Sequence, residues 1–290
     1  MPHVLDTWSV IVAINVARLT LTLAVAYCTR MTKTYSGFHH WVTGVGVGVL
    51  GFFSLALYRV VPTTSVILAN GLNALYVLLL LDGTRRFVLG KPVDRRWYAL
   101  PVFSGLVGGL FYFGFESVLA RVWWNALLLG GMSALGGTIW LRRPADAARG
   151  LYRAAAVLSF AYPTLLVARA LGITLSGRTA VHSLLQPGSK ESLFFLAIGM
   201  LDFCMLTLYL TVNSERQEAE LRESRAEIKM LSGILPICAS CKKIRDGQDH
   251  WVQVETYVRE HTDAQFSHGF CPECLKALYP AHLQDPDRSP

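Results

Sequence analysis

Charge is what this sequence has least of. Only 16% of its 290 residues are Asp, Glu, Lys or Arg, and 52% are hydrophobic. Soluble domains carry roughly a quarter charged residues, so a purely water-soluble chain is excluded as the default reading and a membrane protein is favoured. Acidic residues are scarcest of all in the first three quarters. Residues 1–213 hold 7 Asp and Glu against 17 Lys and Arg, whereas residues 214–290 hold 13 against 10. The net charge of +7 therefore does not describe a nucleic-acid-binding surface. Its excess lies between apolar segments, where basic residues report membrane topology, and no nucleic acid partner is expected. The N-terminus, MPHVLDTW, lacks a basic leader and an A-x-A site beyond the first apolar run, so a cleaved signal peptide is not expected.

What is present begins with seven apolar segments, at about 8–28, 41–61, 64–81, 97–115, 123–141, 153–173 and 193–213. Each is close to the ~20 residues that a bilayer requires. Arg30 and Lys33 follow the first; Arg85, Arg86, Lys91, Arg95 and Arg96 follow the third; Arg142, Arg143, Arg149 and Arg153 follow the fifth. The opposite side holds only Arg59, Arg121, Arg178 and Lys190. Placing the basic loops inside puts the N-terminus outside and, after an odd number of spans, the C-terminus in the cytoplasm. Trp8, Trp41, Trp97, Trp123, Trp124 and Trp140 fall at span ends, as an aromatic belt requires. Outside connections are short except about 174–192, which leaves no extracytoplasmic domain for a large ligand.

After the last span the composition changes. SERQEAELRESRAEIKML, residues 214–231, is built from strong helix formers without Gly or Pro. Leu221, Ile228 and Leu235 are spaced by seven, with Ser224 and Leu231 at the intervening core positions. This predicts a short parallel coiled coil and a homodimer; the alternative is a lone solvated helix with i,i+4 ion pairs.

Cysteines supply the most specific chemistry. Four of the six form two Cys-x-x-Cys pairs, Cys238/Cys241 and Cys271/Cys274, with 29 residues between them. Each pair offers two thiolates from one turn, half of a tetrahedral S4 site for Zn2+. A module of about 45 residues also needs such a staple, because its own core is too small. Paired thiols held for metal imply a reducing compartment, again the cytoplasm. Neither pair is followed by His, which excludes covalent haem attachment. His268, three residues before Cys271, can donate a hydrogen bond to a thiolate, and Lys242 and Lys243 can offset the charge of a ZnS4 centre. His250 and His261 are weaker versions of the same idea. We expect a knuckle at the first pair, a helix over 251–261 with Trp251, Val254, Tyr257 and Val258 facing inward, an extended FSHGF, and a closing helix opened by Pro272.

Residues 234–280 resemble a C-terminal module found in many bacterial signalling proteins, with the pattern LPICxxCKKIRD…W…FSHGxCPxC. The matching positions include Cys238, Cys241, Lys242, Lys243, Ile244, Arg245, Trp251, Glu255, His261, Phe266, Ser267, His268, Gly269, Cys271 and Cys274. The resemblance implies a zinc-ribbon or treble-clef-like module in bacterial signal transduction. The apolar region is similar, more loosely, to seven-span input regions of histidine kinases and diguanylate cyclases, chiefly at LLLLDGTRRFVLGKP. No kinase, cyclase, receiver or hydrolase motif is present, so no enzymatic activity is expected and the output is expected on a separate cytoplasmic partner.

Ionisable groups inside the spans complete the reading. Arg18 and Asp202 lie at similar depth in spans one and seven, and an unpaired charge there costs at least ~2.5 kcal/mol. Pairing is therefore predicted, with Arg169 as the competing partner for Asp202. Asn15, Asn70 and Asn73 extend this to a polar cluster that is either a small-ligand site or switch, or a structural lock. The glycines of Gly44–Gly51 lie inside a span, so they serve close helix packing and not dinucleotide binding. His39 and His40 read as interfacial anchors.

Together these readings give a mainly α chain. A seven-transmembrane bundle spans 1–213, a coiled-coil linker 214–233, a four-Cys zinc-binding α+β module 234–280 and a flexible tail 281–290. The expected protein is a multi-pass sensor of the bacterial inner membrane. The alternatives are a small transporter or membrane enzyme with a regulatory zinc tail, and a thiol-based metal or redox sensor.

Overall fold

The computed structural model describes residues 7–30, 33–115, 117–142, 149–176, 190–232, 235–261 and 264–278. Most of the connection at 174–192 and the whole tail 281–290 lie outside them. The chain divides into two compact units, Met1–Ala219 and Glu220–Pro290.

Among the described residues, the regular structure of the first unit is entirely helical. Helix α1 covers Thr7–Cys28, α2 Phe38–Ser54, α3 Pro62–Leu89, α4 Leu100–Phe113, α5 Val118–Trp140 and α6 Arg149–Ser176. Helix α7, Lys190–Ser232, is 43 residues long, starts in this unit and ends in the second. Five of the seven are long and apolar enough to cross a membrane: α1, α3, α5, α6 and α7. Helices α2 and α4 have 17 and 14 residues, but 3-10 turns adjoin them at Leu55–Arg59 and Arg95–Ala99. The third apolar segment, expected to be the shortest, is one of the longer helices at 28 residues. Its extra turns hold Asp82, Arg85 and Arg86, polar residues that hydropathy assigns to a loop.

Helix ends follow local chemistry. Pro62 opens α3, where its missing N–H has no intrahelical partner to lose, and Gly90 closes it at φ 67°. Ser117 caps α5 by accepting from the Ala120 N–H at 3.1 Å. Helix α3 is the centre of the packing and touches α2, α4 and α5, while α1 lies on α2 and α6 on α5. Leu127 on α5 is 68% exposed while Leu129, two residues on, is 5% exposed. An apolar exterior of this kind fits lipid, and an apolar stripe facing neighbours fills the interior.

At the end of the bundle that bears the Arg85–Arg96 connection, the core is aromatic. Trp41 stacks on Tyr209 with centroids 4.1 Å apart and planes 8° off parallel. Trp140 and Phe87 close around them at 5.8 and 5.0 Å from Trp41, and the Trp41 Nε1–H donates to Thr84 Oγ1. Gly83 makes room for this indole: a Cβ there would lie 2.5 Å from Trp41 Cδ1. Elsewhere Gly48 and Gly51 let α2 settle against the side chains of Tyr76 and Asn73, the close approach expected of small residues in a bilayer.

The second unit holds little regular structure. Ile244–Arg245 (β1) pairs antiparallel with Trp251–Val252 (β2), with Ile244 opposite Val252. Helix α8 covers Val254–His261 and α9 Pro272–Leu278. Trp251 therefore belongs to a strand and is half exposed, correcting the helix expected over 251–261. No residue of α8 is buried, and residues 264–270 have no regular structure.

Replacing Gly83 with Ala should destabilise the bundle by about 1–3 kcal/mol, since the new methyl must displace Trp41. Thermal unfolding in detergent reads this as a lower midpoint; an unchanged midpoint would show the indole free to move.

Candidate functional site

Three polar centres lie within the bundle, and two thiol turns lie in the second unit. The first bundle site is the Arg18–Asp202 pair. Arg18 on α1 is 4% exposed and Asp202 on α7 is 5% exposed, with Arg18 Nη2 and Asp202 Oδ2 3.1 Å apart. The Tyr76 hydroxyl of α3 donates to Asp202 Oδ1. The Arg18 guanidinium also lies over the rings of Phe52, at 5.3 Å, and Tyr76, at 5.5 Å. Three helices thus share one charge pair, each supplying what the others need to be buried. Gly48 leaves space for the guanidinium and Gly199 brings α7 against Ile14 of α1. Tyr76 carried no signal in the sequence, because an aromatic residue in a span reads as packing.

Arg169 does not compete for Asp202. Its Nε donates to Glu191 Oε2 at 2.9 Å, and its guanidinium stacks on Phe194 at 4.7 Å. The reason is chain geometry, since Arg169 near the end of α6 meets the first turn of α7, two turns or more from Asp202. The expected single cluster is in fact divided. Asn15 stays with Arg18, its Nδ2 donating to Ile11 O. Asn70, Asn73 and Arg169 instead line a separate cavity of about 230 Å³. That cavity also receives Arg121 and Asn125 from α5, Glu191 from α7, and apolar walls such as Phe52, Val66, Leu129 and Phe195. Asn125 Nδ2 donates to Asn70 Oδ1 at 2.8 Å. Tyr162 faces this cavity and also lines a smaller one with Asp202.

Asp82 forms a third polar centre, at the opposite end of α3. Fully buried, it accepts from the Val93 N–H at 2.7 Å, Arg86 Nε at 2.9 Å and Tyr98 OH at 2.9 Å, with His40 Nε2 3.4 Å away. One carboxylate thus ties the end of α3 to the connection that follows it. His39 Nε2 lies 3.1 Å from Thr34 Oγ1.

In the second unit each Cys-x-x-Cys pair is formed as a turn. The Cys238 N–H donates to Lys243 O at 2.8 Å, and the Lys242 N–H to Cys238 O at 3.0 Å. Lys242 adopts φ 60°, the left-handed conformation that closes the knuckle, and its Nζ donates to Ala239 O. The N–H groups of Cys241 and Ser240, then the Cys241 thiol, lower the pKa of the Cys238 thiol. In the second pair the Cys274 N–H and thiol lower that of Cys271 in the same way, the N–H lying 3.4 Å from the sulfur. These are half-sites: two sulfurs on one turn with amides directed at the first, as a thiolate-bound metal requires. Donor type and local geometry fit Zn2+. Among the described residues, however, no three Cys, His, Asp or Glu side chains converge to hold a metal ion. Cys241, Cys271 and Cys274 are exposed, as are Lys242, His268 and every described residue from Ala264 to Leu278, while Lys243 is half-buried.

No protein-family model matches the chain, and neither curated proteins nor solved structures yield a match.

Breaking the buried pair from either side should cost about 3–5 kcal/mol, whereas Arg18→Met with Asp202→Leu should recover much of it. Denaturation of the two single variants and the double variant in detergent checks this. Additive losses in the double variant would show that the two groups act independently.

Proposed function

We propose that this chain is an integral-membrane signal-transduction protein that carries a stimulus from a helical bundle to a cytoplasmic, zinc-binding module acting on a separate partner. The observation that carries the reading is the continuity of α7. One helix of 43 residues begins at the Arg169–Glu191 contact, holds Asp202 against Arg18, and ends two residues short of the module that bears the cysteines. A helix transmits rotation and translation along its axis, whereas a flexible connection would absorb them.

In this reading all seven apolar helices span the bacterial inner membrane, α2 and α4 reaching the required length through their adjoining 3-10 turns. The N-terminus lies outside and the C-terminus in the cytoplasm, as the basic connections favour. Residues 214–231 pair with a second copy. Leu221, exposed along the helix, offers an apolar contact for that pairing.

The zinc assignment draws on the module's own poverty of core. Among the described residues beyond Leu235, Ile244 alone is buried. One aliphatic side chain cannot hold a domain together, and a metal joining Cys238, Cys241, Cys271 and Cys274 supplies that missing energy. Bound there, Zn2+ acts as a structural crosslink between the two turns. His268 and the lysines adjoining the first turn then surround a dianionic centre. A thiol-based metal or redox sensor is the second reading, favoured by the exposure of three of the four cysteines and the lowered pKa of one in each pair.

Full-length protein purified in detergent should contain about one Zn2+ per chain, lost in C238S and in C271S alike. Metal-free wild type would reject the zinc module. Zinc released by mild oxidation, with disulfides formed within the pairs, would favour the sensor reading. Leu221→Arg should lower the dimer fraction in nanodiscs, and an unchanged dimer would place the interface elsewhere.

A further inference from the structure

The 230 Å³ cavity between α3, α5, α6 and α7 has a charge imbalance that the protein itself does not settle. Three ionisable side chains with a formal charge line it: Arg121, Arg169 and Glu191. Glu191 is committed to Arg169. Arg121 sits over the Tyr112 ring at 5.2 Å, and its buried Nε has no hydrogen-bond partner among the described residues. One α-helical turn away, Asn125 has used its amide on Asn70, while its buried Oδ1 is also without a partner. A donor bearing positive charge and a neutral acceptor thus stand side by side on α5, facing the same space. Of the two, the guanidinium decides, because a buried charge left without a partner costs more than a neutral amide oxygen.

We infer that this cavity binds a small molecule with an oxyanion head and an apolar body, of the aryl or medium-chain carboxylate class, and that Arg121 receives the head. The inference rests on the reading of the protein as a membrane receptor and names the class of its stimulus. A cation is disfavoured by the excess guanidinium, and a sugar by walls of Phe52, Val66, Leu129, Leu166 and Phe195. Size sets the remaining limit. The volume exceeds the ~150 Å³ that accepts benzene in a protein interior, leaving room for a ring or short chain together with its head.

The occupant would also touch the relay. Glu191, Phe194, Phe195 and Ile198, the first turns of α7, form one wall. Tyr162 separates the cavity from the space beside Asp202. A carboxylate arriving at Arg121 adds a negative charge near the Arg169–Glu191 pair, and an apolar body presses on α7 above its anchor to Arg18.

The experiment uses full-length protein in nanodiscs. Soluble probes are 3-phenylpropanoate and octanoate, the membrane-borne probe is oleate mixed into the nanodisc lipid, and 3-phenylpropanamide is the uncharged control. Calorimetry should show saturable carboxylate binding that falls at least about tenfold for the amide and for Arg121→Gln, while Arg121→Lys retains part of it. Saturation by the soluble acids identifies a free ligand, and saturation by oleate alone identifies one drawn from the bilayer. Either source supports the site. Should Arg121→Gln fail to fold, the amide comparison on wild type and the cavity-filling Ala69→Phe still decide. Equal binding of acid and amide, undiminished binding in a folded Arg121→Gln, or no saturable binding by any probe would overturn the inference. Zinc content and tail cysteine reactivity are read on the same preparation. Zinc-loaded protein that binds no carboxylate removes this site and leaves the receptor reading. Carboxylate binding that never alters cysteine reactivity keeps the site and removes the relay.

Discussion

The bundle depends on a charge that has nowhere else to go. Arg18 and Asp202 are both nearly inaccessible, and in hydrocarbon neither can be hydrated. Their pairing, with the Tyr76 hydroxyl on the second carboxylate oxygen, fixes α1, α3 and α7 in one register. Apolar contacts in a bilayer hold helices together but do not say which rotation is correct, because lipid competes for the same surfaces. A single ion pair does say so. The glycines opposite it, Gly48 and Gly199, are a consequence: the backbones must come close enough for the side chains to meet.

From that register the rest of the arrangement follows in sequence. With α7 held at Asp202, its N-terminal turns present Glu191 to Arg169 and complete one wall of the cavity. Its later turns present Tyr209 to Trp41. The same helix then continues to Ser232, the continuity on which the proposed relay rests. A polar pair that specifies geometry is also the natural fulcrum for changing it.

Much of the bundle was legible in the sequence, for a physical reason. Hydropathy over 20 residues measures what a bilayer measures, and equal depth in two spans was enough to bring Arg18 to Asp202. What was hidden is rotation about each helix axis. When both faces are apolar, nothing in the sequence separates exposed Leu127 from buried Leu129. Arg121 was read as a topological charge at a span boundary and Asn125 passed unnoticed; only packing reveals that both face the same cavity as Asn70. Arg169 was misassigned because depth alone does not say which neighbouring helix a side chain meets. The second unit shows the opposite pattern. Its chemistry was plain from four cysteines, while its shape was not, since turns alone leave Trp251 on a strand and α8 without a buried face.

Asp82 has a mechanical meaning. By gripping Val93, Arg86 and Tyr98 at once, it ties the connection after α3 back to the helix it leaves, and α3 in turn is wedged among α2, α4 and α5. These elements form a braced frame. Under the proposed relay, α7 is the element that would shift against that frame, and it could do so only by loosening both its ion pair at Asp202 and its stack at Tyr209.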